Sequence, residues 1–154
     1  SGLLIYAIPF RQFFLPAFIT GNFIDYFSKH TPDFLQQSIL GRLGMKSDYE
    51  LPIPFLIDAY YSDGTASANT GLLADAYANF GFYGVFIFPV MFAVVLRMLD
   101  SASENIDLKY NFGLIVFFSI TFLNMAFFTS LLTGGVLVSL FFLRTQSARP
   151  IMNN

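Results

Sequence analysis

The chain has 154 residues, 55% of them hydrophobic and 12% charged, with 21 Phe and a mean hydropathy of +0.61. A soluble domain carries roughly 25% charge, so half that complement points to an all-α integral membrane protein. A net charge of −2, no Cys and a single His exclude a nucleic-acid footprint, a disulfide framework, thiolate chemistry and a histidine metal cluster.

Residues 1–24 are apolar apart from Arg11, with Pro9 and Pro16 inside them. Proline removes a helical hydrogen bond, so one helix ends near Pro9 and a second, short one follows at or re-entering the membrane. Irregular backbone is not tolerated against lipid, so this kink should face protein or water. Ser1 opens directly on the apolar run, which reads as a piece of a longer membrane protein cut inside or just before a helix.

Residues 25–70 hold six of the ten acids: Asp25, Asp33, Asp48, Glu50, Asp58 and Asp63. In "HTPDFLQQSIL" Thr31 can cap a helix, Pro32 suits its first position, Asp33 complements the dipole, and Gly41 or Gly44 can end it. "YELPIPFLIDAYYSDGTASAN" reads as an ordered loop packed on the membrane surface, with two prolines and an Asp-Gly turn.

A transmembrane helix is expected over 71–99, since 76–96 is uncharged for about 21 residues. A short loop over 100–109 follows, with Arg97 at its edge. The uncharged stretch 110–143 is too long for one crossing and divides into spans 110–128 and 129–146 with a tight turn at 128–130, leaving 147–154 as a tail. The basic tail and the 97–109 segment share a side, which the positive-inside rule makes cytoplasmic, so 25–70 lies in the periplasm. The expected fold is therefore three to four transmembrane helices plus a periplasmic loop with short amphipathic helices.

Four features carry candidate chemistry. Arg11 costs about 2.5–3.5 kcal/mol at a membrane helix centre. It is either an anion receptor, whose planar fork grips phosphate, or an Arg that snorkels from a helix end. Asp75 and Asn79 lie four apart on one helix face, beside a small-residue stripe of Ala74, Ala78, Gly81 and Val85. They either bind sugar hydroxyls or serve as a base, or they are satisfied by loop amides. His30 is a proton carrier or an ordinary surface residue. Asp25, Tyr26, Tyr60, Tyr61 and Tyr77 either line a carbohydrate groove or form an interfacial aromatic belt.

"RQFFLPAFITGNFIDYFSKHTPDFLQQSIL", a Tyr/Pro-rich loop and "SANTGLLADAYANFGFYG" running into a span resemble, over about residues 5–100, the C-terminal portion of bacterial O-antigen polymerases, the Wzy-type oligosaccharide repeat-unit polymerases. The resemblance implies a multi-pass inner-membrane glycosyltransferase of GT-C-like fold, needing no cofactor or metal. Its partners would be undecaprenyl-pyrophosphate-linked glycans, the bilayer and a chain-length regulator protein. It implies Arg11 as the cation for the leaving pyrophosphate, with Arg42 a second candidate, and His30 or Asp75 as the base. Asn79, Asn69, Tyr77 and Tyr60 would bind substrate. Such polymerases have ten or more spans, so the chain would be a piece of one. The alternatives are an O-antigen ligase-like transferase, a polysaccharide transporter or flippase segment, and a structural membrane fragment without a site.

Overall fold

The computed structural model describes residues 7, 10–65, 67–68, 71–104 and 108–147. Among these every regular element is helical. A π-helical turn (Phe10–Phe14) leads into α1 (Leu15–Phe27), followed by α2 (Ile39–Arg42), α3 (Ile53–Tyr61) and α4 (Leu72–Phe80). A 3₁₀ turn (Gly81–Tyr83) leads to α5 (Gly84–Ser103), then α6 (Leu108–Asn124), α7 (Phe127–Leu132) and α8 (Val136–Ser147).

Two helical segments, Leu72–Ser103 and Phe127–Thr145, are long and apolar enough to cross a membrane. Only 22% of the most apolar stretch of the first and 33% of the second is buried. The outward faces instead present large apolar side chains, among them Phe86, Val90, Phe112, Ile115, Leu123 and Phe141. Water does not tolerate so extensive an apolar surface, and lipid does.

The first segment is not a single rod. Gly81 takes φ 57°, which suits a residue without Cβ, and the chain reverses there. Phe80 meets Phe88 with ring centroids 6.1 Å apart, and both Gly71 and Phe92 lie against Phe122. Short α4 is thus folded back along the first half of α5. α5 by itself has 20 residues, a length of about 30 Å at 1.5 Å per residue, matching a hydrocarbon core. Pro89 lies inside α5 without ending it.

α6 returns antiparallel to α5. Phe122 packs on Phe92 at 4.8 Å, while Phe118 shares a cavity wall with Leu99. α7 and α8 run back alongside α5, with Phe127 against Phe88 at 5.6 Å and Leu143 on the same cavity as Leu99. The core of this bundle is centred on Phe88, Phe127 and Val136. A second core joins Phe23 and Phe27 of α1, Ile53 and Ile57 of α3, and Ala74 and Ala78 of α4. α4 sits between the two, with Ala76 turned to the first core and Ala74 and Ala78 to the second. Its alanines allow backbones to approach closely on both sides.

The closest approach is at Gly84, where an added Cβ would overlap the carbonyl of Ala76. Gly84→Ala should therefore push α4 off α5 and cost about 1–3 kcal/mol, as overpacked contacts do. Thermal unfolding in detergent should show a lowered midpoint, and an unchanged midpoint would mean that this contact is not made.

Three local expectations are corrected. Residues 34–38 form turns and α2 spans only Ile39–Arg42, because the N–H groups of Asp33, Phe34 and Leu35 bond to the C-terminal end of α4 and not to a nascent helix. The segment read as loop contains α3. Pro52 precedes the helix and Pro54 stands in its first turn, where the missing N–H costs nothing. The turn expected at 128–130 is helical. The breaks fall instead at Met125–Ala126 and at Thr133–Gly135, where Gly135 takes φ 81°.

Candidate functional site

The polar residues gather in two places. The first is the junction of α4 with the 33–53 segment and α7. Asp75 and Asn79, one turn apart, are joined by Asn79 Nδ2 donating to Asp75 Oδ1 at 2.9 Å. Asp75 Oδ2 accepts from the Phe127 N–H at 2.8 Å. Ala126 offers α7 no side-chain cap, so Asp75 caps that helix from across the fold. Asn79 Oδ1 accepts from the Leu35 N–H at 2.8 Å, while Asp33 N donates to Ala78 O and Phe34 N to Asn79 O at 2.9 and 3.1 Å. Those N–H groups satisfy carbonyls that the end of α4 would otherwise leave bare.

Asp33 is only 2% exposed. Its carboxylate accepts from Gln37 N at 2.8 Å and Ser47 Oγ at 2.7 Å. Gln37 then reaches Leu51 O and Ile53 N, both at 2.8 Å, which ties the whole segment together. Phe34 and Leu35 hold φ 50° and 65°. For side chains with a Cβ this left-handed backbone costs roughly 1–2 kcal/mol per residue. A cavity of about 190 Å³ lies beneath this turn, walled by Asp33, Gln37, Asp75, Asn79 and Thr129 among others.

The second place is an aromatic cluster at the end of α1, where His30 and Tyr60 are exposed and Tyr26 is buried beneath them. His30 stacks on Tyr26 with centroids 4.0 Å apart and planes 7° from parallel. Its Nδ1 lies 2.8 Å from the Tyr26 carbonyl. A carbonyl only accepts, so Nδ1 carries the proton and in the neutral ring Nε2 holds the lone pair. Tyr60 stands edge-on to Tyr26 at 5.1 Å and to His30 at 6.2 Å. It is 59% exposed. Tyr61 donates to Asp25 Oδ2 at 2.5 Å, and Lys29 Nζ pairs with Asp25 Oδ1 at 2.7 Å. Tyr49 closes the inner side by donating to the Thr31 carbonyl.

Charge and hydrogen bonding support one another here. Donation from Lys29 and then Tyr61 holds the Asp25 carboxyl below its usual range, and Asp25 raises Lys29 in return. Desolvation, then donation to Asp25, pushes Tyr61 up to about 12. The Tyr61 donor is therefore present at every pH below that value. The Asp25 acceptor is present above its depressed titration and is lost as pH falls through it.

The sequence candidates divide between these places. Asp75 and Asn79 belong to the junction. His30 and Tyr60 belong to the aromatic surface with Asp25, Tyr26 and Tyr61, and Tyr77 packs half-buried against the adjoining core. Arg11 is exposed on the π-helical turn and does not wall the cavity of Asp75 and Asn79. Arg42 is exposed at the end of α2. Asn69 lies outside the described residues. Sequence reasoning missed Gln37 and Tyr49, and it read Asp33 only as a helix-start residue. Among the described residues no group of three or more His, Asp or Glu could hold a metal ion.

The chain matches no family model, no curated protein and no solved structure.

Proposed function

We propose that the chain is part of a multi-pass membrane glycosyltransferase of the bacterial inner membrane. It would extend undecaprenyl-pyrophosphate-linked glycans by whole repeat units, as its resemblance to O-antigen polymerases implies. The observation that carries the reading is the exposed pair His30 and Tyr60, set on the buried ring of Tyr26 and flanked by Asp25 and Lys29. Aromatic faces cover the apolar faces of sugar rings, and the flanking charged groups hydrogen-bond hydroxyls. Free Nε2 on an imidazole fixed by its other nitrogen is the arrangement of a general base.

In the transfer, an acceptor hydroxyl attacks the anomeric carbon of the donor chain. The new C–O bond forms as the bond to pyrophosphate breaks. His30 Nε2 takes the hydroxyl proton, and the pyrophosphate departs with the bonding pair, its charge matched by a guanidinium. The resemblance assigns that guanidinium to Arg11, with Arg42 second. Asp75 and Asn79 hold the junction of α4 with the 33–53 segment and α7 and leave the base role to His30, because their polar atoms are already engaged.

Tyr60→Ala in the whole membrane protein tests the reading. It should shorten the lipopolysaccharide ladder at unchanged protein level, because stacking on an aromatic ring contributes about 0.5–1.5 kcal/mol to each engagement. A ladder of normal length would overturn the glycan surface. Loss of attachment to lipid A–core with normal chain length would favour the ligase-like alternative.

A further inference from the structure

The cavity of about 190 Å³ between α4, α3 and α7 has a roof made of one short turn, residues 33–38. Two consecutive bulky residues in that turn, Phe34 and Leu35, hold left-handed backbone, where glycine is the residue that fits without strain. Left to itself this segment would relax toward the helix that its Thr-Pro-Asp start favours. It is held to the end of α4 by three N–H bonds, from Asp33 to Ala78 O, Phe34 to Asn79 O and Leu35 to Asn79 Oδ1, while Asp33 and Gln37 tie it to Ser47, Leu51 and Ile53. The side chain of Asn79 that takes the third bond also reaches Asp75, and Asp75 caps α7. The same few bonds thus hold one wall of the cavity in place, store the strained backbone and connect to a second helix.

We infer that the Asp33–Ser38 turn is a strained latch over this cavity, swinging away from α4 when its bonds to Ala78 and Asn79 break and staying tied through Asp33 and Gln37 to the 47–53 segment. Two observations make it a latch and not merely a tight turn. The conformational energy of Phe34 and Leu35 favours release, whereas the three bonds that tie their backbone down end on two adjacent residues of α4. The walls beneath it mix apolar residues such as Phe23, Ile53 and Ala126 with Asp75, Asn79 and Thr129, so opening admits water or a hydroxyl-bearing ligand to those polar groups. The latch does not depend on the reading of glycan transfer.

The chain has no Cys, so a single introduced thiol reports the opening cleanly. Ala78 is 1% exposed and walls the cavity, which makes Ala78→Cys a nearly isosteric probe for a membrane-impermeant maleimide. The whole chain in lipid nanodiscs is labelled with Phe34→Gly or Asn79→Leu added, and Val136→Cys, buried in the bundle core, reports global unfolding. Phe34→Gly removes strain and should slow labelling at position 78 about fivefold. Asn79→Leu removes the side-chain tie from Leu35 N–H, leaves the two bonds to backbone carbonyls, and should speed it by about tenfold while the thiol at position 136 keeps its rate. Labelling that Phe34→Gly leaves unchanged or accelerates would overturn the strained latch. Equal acceleration at positions 78 and 136 by Asn79→Leu would show global unfolding in place of a local opening, and would overturn it as well.

Discussion

Asp75→Ala is expected to destabilise the fold by about 3 kcal/mol, through two hydrogen bonds to a carboxylate worth on the order of 1.5–3 kcal/mol each, only part of which relaxation recovers. The direction of the donors makes the case. Phe127 N–H points at Asp75 Oδ2 and the Asn79 amide nitrogen points at Oδ1, while Asn79 spends its oxygen on Leu35 N–H. Two donors converge on position 75, so the residue there must accept on both sides. A carboxylate is the side chain of that size that does so. Asp75→Asn, of the same shape, has one acceptor and one donor. Either Phe127 N–H or the Asn79 amide must then face another donor, and turning Asn79 over moves the conflict to Leu35. The Asn variant should lose about half of what Ala loses. Unfolding of the purified protein in mixed micelles measures both. Hydrogen exchange at Phe127 should quicken in both variants, since α7 has six residues and Ala126 supplies no cap of its own. An Asn variant as stable as the parent would mean that the two donors do not converge on this carboxylate.

The i, i+4 spacing in the sequence places Asp75 and Asn79 on one helix face, and they do share a hydrogen bond. What spacing does not reveal is the partner 52 positions away, because Phe127 N–H needs a cap only once α7 begins there. The same non-local competition removes the helix expected after Thr31. Its Thr, Pro and Asp favour a helix start, but three N–H groups find acceptors on α4, 44 to 45 residues on, and bulky residues go left-handed to reach them. α3 escaped the sequence reading for a different reason, since Pro52 and Pro54 would break a helix interior yet suit a helix start. The apolar runs, in contrast, were legible as long apolar helices, because lipid-facing surface requires apolar residues at every turn. The fold-back of α4 along α5 was not, since one uninterrupted apolar run conceals the reversal at Gly81.

His30→Asn carries the second large effect, on turnover and not on stability. The Asn side-chain amide can stand where Nδ1 stands, donate to the Tyr26 carbonyl and keep the end of α1 in place. It offers nothing at the position of Nε2. If His30 accepts the acceptor hydroxyl's proton, chain extension by the whole protein on lipid-linked repeat units should fall by about 10²–10⁴-fold, with protein level near that of the parent and a thermal midpoint lowered only by the loss of the ring stacked on Tyr26. His30→Ala should fall as far and lose more stability, because it removes both the Nδ1 bond to the Tyr26 carbonyl, which keeps only its bond from the Lys29 N–H, and the ring that covers Tyr26 at 4.0 Å. The comparison of the two separates chemistry from architecture. An Asn variant that extends chains at the parental rate would reduce His30 to a cap for the end of α1, and the aromatic surface would then bind glycan without supplying its base.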